Sequence, residues 1–297
     1  MLKKLLKNSY RHVLEFTESA RKQKIIIDED KKILSQINLL ENQSNLFKEL
    51  SEKGFVLLPD FFSNKEIDEF TKDLEFNTKK RNCSVSNLVI TEKSLIANFL
   101  SNKKIKDLLI SYLGKNAKLD FIEINRLEHD TKIESVSENW HFDTVGRRIK
   151  IFCFLNSVDT ISTELAPKTH KIFHKNFSTK KSRFSDTYMR KISNSLENIY
   201  PKKRSILIFD TNIIHKGNYR KVLEGSEEIS FRDTIQLEFS NKDKSDRLFS
   251  MGIDSIGVRN IFFSKENNLD NYLIDKDYIS EFNNKKIIFY DQRYSSY

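Results

Sequence analysis

The sequence predicts a mainly β fold with flanking helices, a jelly roll, and three observations carry that expectation. Between about residues 119 and 239 the chain breaks into short runs rich in β-branched and aromatic side chains, at 121–127, 140–145, 149–158, 205–209 and 233–239. Polar turns separate these runs, a spacing that suits two packed antiparallel sheets. Residues 1–53 instead repeat charged and apolar positions at helical spacing, with no Pro or Gly before Gly54. There is no internal repeat and no linker rich in Gly, Pro or Ser to mark a second domain, so the 297 residues fit one large core.

Taken in order, the start of the chain places Lys3, Lys4 and Lys7 on one helical face and Leu2, Leu5, Leu6, Val13 and Leu14 on another. It lacks the uninterrupted apolar stretch and small-residue cleavage site of a signal peptide. Packing of this helix on its own domain or a second subunit is the favoured reading, and peripheral contact with an anionic membrane is the alternative. Helical spacing continues through Ile33, Leu34, Ile37, Leu40, Phe47 and Leu50, and Gly54 ends it. Phe55, Val56, Leu57 and Leu58 then form a short apolar strand stopped by Pro59. Ser63 with Glu66 three residues on is a capping box opening a helix through Ile67, Phe70, Leu74 and Phe76. The expected organisation is a helical region at 1–53, a β domain at 54–241 and a C-terminal extension at 242–297. A basic, polar helical or loop insertion at about 177–200 is of the kind that covers a site.

Composition excludes several classes. With 23 Phe and 10 Tyr the chain has bulky core material, so disorder does not follow from its 31% charged residues. No stretch reaches the roughly 18 apolar residues of a membrane span. Cys83 and Cys153 stand far apart, which suggests neither a disulfide framework nor a zinc knuckle and suits a reducing cytoplasm. Cys153 lies in an apolar run and reads as a small buried hydrophobe. A formal charge of +9 favours an acidic partner. Lys and Arg are dispersed, however, without the concentrated face and interleaved aromatics of a nucleic-acid module, so no nucleic acid is expected.

One constellation carries chemistry. His141, Phe142 and Asp143 form a His-x-Asp tripeptide in a β run, where alternation sends both polar side chains to one face and Phe142 to the other. His215 follows the apolar strand Ile206, Leu207, Ile208, Phe209 and a turn at Asp210, Thr211 and Asn212. In a jelly roll such a distant strand can lie beside the first. Two imidazoles and one carboxylate on one face of an octahedron leave three open positions, the arrangement of non-haem iron oxygenases.

With that constellation in order along the chain, the segment Trp140 to Asp143, the apolar run 149–158, Pro167-Lys168-Thr169-His170-Lys171, and Ile206 to His215 followed by Arg232 resemble the phytanoyl-CoA dioxygenase family. The opening Gly54 to Phe62 followed by a helix resembles it too, so the likeness spans about residues 50–240. It implies a double-stranded β-helix, a cupin-like jelly roll, with Fe(II) on His141, Asp143 and His215 and 2-oxoglutarate as co-substrate. It also implies an arginine after the distal histidine that holds the far carboxylate of 2-oxoglutarate. Arg232 matches, since it begins a β run that can point it into the barrel and a guanidinium suits a carboxylate. The stretch from His215 to Arg232 is longer than is usual for the family, and Arg220 lies closer in the polar turn. Where the family commonly has Gly and Ser this chain has Lys168 and Thr169, so the loop lacks a glycine's tolerance of positive φ.

Lys150 on the strand after the motif and Asn125 on the strand before it are candidate cofactor contacts. Alternation lets only one of Asn125 and Arg126 face inward. Arg126, Trp140 and His170 are candidate pocket residues, His170 more in support than in ligation. The implied activity is hydroxylation of an unactivated C–H bond of a small metabolite by dioxygen, with the basic charge favouring an anionic one. The competing reading is a catalytically silent β-helix protein that binds a small ligand or another metal. The favoured reading of the N-terminal helix makes a measurable prediction: deleting residues 1–16 leaves sedimentation with anionic liposomes unchanged, and a loss of sedimentation would show membrane contact instead.

Overall fold

The computed structural model describes residues 45–72, 74, 82–84, 88–90, 94–128, 136–143, 148–172, 184–219, 231–241 and 261–263, with a few helical positions between 21 and 28. The expected N-terminal helix at 1–16, Arg220 and most of the 242–297 extension lie outside them. Strands β1 (Phe55–Leu58), β2 (Asn82–Ser84), β4 (Ala117–Glu128), β5 (Arg148–Phe154), β8 (Ile206–Asp210) and β10 (Phe231–Asn241) form a six-stranded sheet in the order β1-β8-β5-β10-β4-β2. Strands β6 (Ile161–Ala166), β7 (Glu197–Ile199) and β9 (Ile214–Tyr219) form a three-stranded sheet in the order β7-β6-β9. The pairings in both sheets are antiparallel. This is the expected mainly β jelly roll with flanking helices. From the C-terminal extension, β11 (Ile261–Phe263) pairs in parallel with β3 (Leu88–Ile90).

The large sheet has two faces of different chemistry because alternate residues point opposite ways. On β5, Ile149, Ile151 and Cys153 join the core beneath the helices, whereas Phe152 and Phe154 turn to the small sheet and pack with Leu165, Leu207, Phe209 and Ile213. On β10, Ile235, Leu237 and Phe239 take the helix side. Helices α1 (Asn45–Lys53), α2 (Asn64–Thr71), α3 (Leu95–Ser101) and α4 (Lys103–Leu113) supply the other half of that core through Phe47, Leu50, Ile67, Phe99, Leu108 and Leu109. Each such fully buried aliphatic or aromatic side chain contributes roughly 1.5–3 kcal/mol of transfer free energy. Cys153 is a buried free thiol in this core, as expected.

Several elements follow the sequence closely. The Ser63 side chain accepts from the Glu66 amide while Glu66 accepts from the Ser63 amide, the anticipated capping box. Gly54 ends α1 with φ 91°, and its amide donates to Leu50 O at 2.8 Å. Other expectations need correction. The run at 149–158 stops pairing at Phe154: the Leu155 amide still donates to Asp233 O on β10, but the Asp233 amide leaves the ladder for Asn156 Oδ1 at 2.9 Å. The 177–200 stretch contains helix α5 (Asp186–Ile192) and strand β7, which pairs with β6, so part of it is sheet. Lys168 adopts φ 67°, the left-handed conformation for which a glycine is the usual residue, and its amide donates to Lys53 O at 2.8 Å.

Gly54 is the tightest of these junctions. A Cβ there would stand 2.6 Å from His170 Nδ1 and 3.1 Å from Ile213 Cδ1, and L residues are strained at its φ. Gly54→Ala is therefore expected to lower stability by about 2–4 kcal/mol, the combined cost of positive φ and overpacking. A urea-unfolding midpoint unchanged within error would refute that.

Candidate metal centre

Two of the three converging side chains come from a segment whose described residues, 136–143, belong to no strand. His141 makes an isolated antiparallel bridge with His215: its amide donates to His215 O at 2.9 Å and its carbonyl accepts from His215 N at 2.7 Å. The expected strand at 140–145 is thus a single bridged pair within 140–143, because the Asp143 amide turns away to Thr211 O at 3.0 Å. Alternation still operates. Trp140 and Phe142 pack outward with Ala166, Phe184, Met189 and Ile214, while His141 and Asp143 face the opposite way. Trp140 is fixed there, its Nε1 donating to Asp186 Oδ1 at 2.8 Å and its ring lying 4.5 Å from Lys216 Nζ.

His215 arrives through the turn between β8 and β9. Buried Asp210 folds that turn by accepting from the Asn212 amide and the Asn212 side-chain nitrogen, both at 2.7 Å, and its other oxygen accepts from Tyr112 Oη at 2.6 Å. The Asp210 amide donates to Gly54 O and the Thr211 amide to Arg148 O. The same turn therefore carries His215 forward and presents the Thr211 carbonyl to Asp143.

The three side chains converge, with one ligand atom from each lying within 4.8 Å of the others. Asp143 Oδ1 is 3.8 Å from His141 Nε2 and 3.9 Å from His215 Nε2. His141 Nδ1 donates to Asn139 O at 2.7 Å and His215 Nδ1 to Ile213 O at 2.9 Å. A nitrogen facing a carbonyl is the protonated one, so both Nε2 lone pairs point to the common centre. Burial opposes ionisation of Asp143, but Lys150 and the two imidazoles outweigh it and hold the carboxyl well below the usual carboxylate range. This donor set fits a divalent first-row metal, with each atom moving in by roughly half an ångström to reach bonding distances of about 2.1 Å.

The remaining expected residues divide by sheet face. Arg232 lies on the inner side, its Nη1 donating to Thr163 Oγ1 at 3.3 Å and its guanidinium 5.4 Å from the Phe152 ring. Thr163 is two residues along β6 from Leu165, the register partner of His215, which sets Arg232 roughly 7 Å along the strand from the histidine. Phe209 packs on His215 and Phe152 packs on Phe209, so an aromatic floor runs from the imidazole to the guanidinium. Lys150 touches Asp143 directly, with Nζ 2.6 Å from Oδ2.

Of the two neighbours on β4, Asn125 pairs in register with Thr234 and its side chain bonds Glu123 Oε2 at 3.2 Å. Arg126 forms a two-pronged pair with Asp233 at 2.7 and 2.8 Å and stacks on Phe231. It is thereby held on the opposite face of the sheet from Lys150 and Arg232. The pocket expectation for Arg126 does not match this placement, because Asp233 satisfies its guanidinium elsewhere. Trp140 also points away from the ligands, for the alternation reason above. His170 is buried against Gly54 with Nε2 3.3 Å from Ser51 O, which makes it part of the junction between α1 and the loop after β6.

Sequence reading missed the supporting cast. Glu238 and Arg148, 2.6 Å apart, extend the Lys150 contact across β5 and β10. The inward direction of Arg148 follows from the parity that places Lys150 inward on β5, and that of Glu238 from the parity of Arg232 on β10, so both were available. Thr163 was not, since its strand β6 was unrecognised.

No protein-family model and no curated protein matches the chain. Solved structures do. The chain is similar to EctD from S. alaskensis in its apoform, at 12% identity and TM-score 0.50, covering 68% of this chain and 78% of that one. A further EctD structure contains bound Fe. It is also similar to SnoN, a non-heme alpha-ketoglutarate-dependent epimerase from nogalamycin biosynthesis (13% identity, TM-score 0.49, 66% and 82% covered). A third is HygX from Streptomyces hygroscopicus with nickel and 2-oxoglutarate bound (13%, TM-score 0.46, 67% and 87%). At these identities the likeness shows the fold, and the EctD superposition carries it. The convergent donors predict that Co(II) or Ni(II) added to chelator-treated protein raises its melting temperature through binding to the folded state. His215→Ala is expected to abolish that rise, and a full rise in the variant would place the metal elsewhere.

Proposed function

We propose that the protein is an Fe(II)- and 2-oxoglutarate-dependent oxygenase of the phytanoyl-CoA dioxygenase family that hydroxylates a small-molecule substrate with dioxygen in a reducing cytoplasm. The observation that carries this reading is the convergence of His141 Nε2, His215 Nε2 and Asp143 Oδ1 on one side of an aromatic floor that ends at Arg232. Its fold likeness to EctD, one structure of which contains bound Fe, supports the same choice.

In this reading His141 Nε2, Asp143 Oδ1 and His215 Nε2 would hold the metal. Bound iron supplies the oxidising chemistry, in which 2-oxoglutarate loses carbon dioxide to give succinate and the substrate gains a hydroxyl. Arg232, steadied by Thr163, would take the far carboxylate, and the Phe152 ring beside it would offer an apolar surface to the rest of the molecule. The Phe209 and Phe152 rings exclude water from that side, which strengthens the ionic contact. A small anionic metabolite remains the proposed substrate class.

One observation favours the competing reading of a silent β-helix protein. The Lys150 ammonium already neutralises Asp143, which weakens the attraction of that carboxylate for a cation. Anaerobic addition of Fe(II) and then 2-oxoglutarate separates the two. The oxygenase is expected to develop a visible metal-to-ligand charge-transfer band that His215→Ala removes. Arg232→Ala is expected to weaken 2-oxoglutarate roughly thirtyfold or more, the scale for deleting one partner of a buried charge pair. Absence of the band under every condition would leave the ligand-binding reading.

A further inference from the structure

Lys150 stands between two carboxylates on the inner face of the large sheet, 2.6 Å from Asp143 Oδ2 and 3.2 Å from Glu238 Oε1, with its side chain only 11% exposed. Glu238 Oε2 accepts from Arg148 Nη2 at 2.6 Å, and Gln236 Nε2 lies 3.4 Å from Glu238 Oε1. The four charged groups Asp143, Lys150, Glu238 and Arg148 therefore sum to zero. They also divide the work of one carboxylate. Asp143 Oδ1 faces the two imidazoles, whereas Oδ2 is taken up by the ammonium.

We propose that Lys150 is a positioning residue that occupies the second oxygen of Asp143, restricts that carboxylate to a single-oxygen ligand, and so makes tight metal binding depend on a dianionic co-substrate. This rests on the oxygenase reading above and differs from a direct contact between Lys150 and 2-oxoglutarate.

Two effects act in the same direction. A divalent ion entering this neutral set adds two positive charges beside an ammonium, a repulsion that a dicarboxylate with two negative charges relieves. Freed of Lys150, Asp143 could also turn both oxygens to the ion and fill a position the co-substrate needs. Removing the lysine should then tighten the bare metal and loosen the dicarboxylate. A role in packing alone gives the opposite sign for the metal, because a ligand that loses its orienting partner binds more weakly. By reciprocity, the factor by which 2-oxoglutarate tightens metal equals the factor by which metal tightens 2-oxoglutarate, so one coupling constant reports both.

The test uses the full chain, stripped of metal with a chelator, and Co(II), which reports its coordination number in the visible spectrum. Calorimetric titrations with and without 2-oxoglutarate give the coupling. In Lys150→Met, Co(II) alone is expected to bind roughly tenfold tighter than in the wild type, and 2-oxoglutarate to bind the Co(II)-loaded protein roughly tenfold weaker, with a changed Co(II) spectrum. Lys150→Arg, which keeps the charge, should retain the wild-type coupling. If Lys150→Met alone does not fold beside two carboxylates, the same measurement on Lys150→Met combined with Glu238→Gln decides the matter.

Weaker Co(II) binding in a folded Met variant, or an unchanged coupling, overturns the proposal while leaving the wild-type titration to support the oxygenase. A wild type that binds Co(II) but never 2-oxoglutarate overturns the oxygenase reading and the coupling together. A wild type that binds no Co(II) at all removes the metal centre on which both stand.

Discussion

The paired backbone hydrogen bonds between His141 and His215 are the constraint on which the site depends. Each is worth only about 1 kcal/mol net, yet together they fix the spacing of two candidate metal ligands without using either side chain. Among the described residues the segment that carries His141 has no ladder to either side, so it needs further anchors. The Asp143 amide on Thr211 O supplies one, and the burial of Trp140 and Phe142 on the outward face supplies another. His141 and Asp143 converge because their neighbours are pulled the other way.

The turn that receives them is itself tied to the helical layer. Asp210 binds the Asn212 amide locally, the Tyr112 hydroxyl from α4 and, through its own amide, the Gly54 carbonyl between α1 and β1. A buried carboxylate with these donors is a stable arrangement only while all are present. The metal site and the α1–β1 junction thus share one set of hydrogen bonds. His170 completes that junction from the other side, packed over Gly54. Its burial explains why an imidazole so near the motif in sequence stays apart from the ligands.

What could be read from the sequence followed from periodicity and from strong local chemistry. The Ser63 capping box, the Gly54 stop and the apolar strands around Ile151 and Ile208 rest on patterns that tertiary packing reinforced. Strand β6 was illegible because Ile161 to Ala166 mixes Ser, Thr and Glu among its apolar residues, and all six are buried. Strand β9 was illegible because His215, Lys216, Gly217 and Asn218 look like a loop until β6 supplies its partner. Helix α4 shows a periodic face through Ile105, Leu108, Leu109 and Tyr112 that was legible and unused. At the site, the convergence of His141, Asp143 and His215 and the inward direction of Arg232 were legible, whereas the fate of Arg126 depended on Asp233, a partner more than a hundred positions away. Lys168 shows the limit of residue preference: hydrogen bonding to Lys53 holds a non-glycine residue at positive φ.

The overall charge of +9 is a poor guide to the chemistry of the site, because the inner face balances its charges locally. What gives that face its character is the register of a single strand. On β5, Arg148, Lys150 and Phe152 are successive inward positions: the first two build the ionic set beside Asp143, and the third joins the aromatic floor beneath Arg232. Ile149, Ile151 and Cys153 are the intervening outward positions, buried under the helices. A slip of one residue would exchange the two sets, burying two cations beneath α4 and presenting isoleucines to the His141, Asp143 and His215 triad. The hydrophobic core on one side of the sheet therefore fixes the polar geometry on the other, and Arg148, Lys150 and Phe152 need no separate device to hold their register.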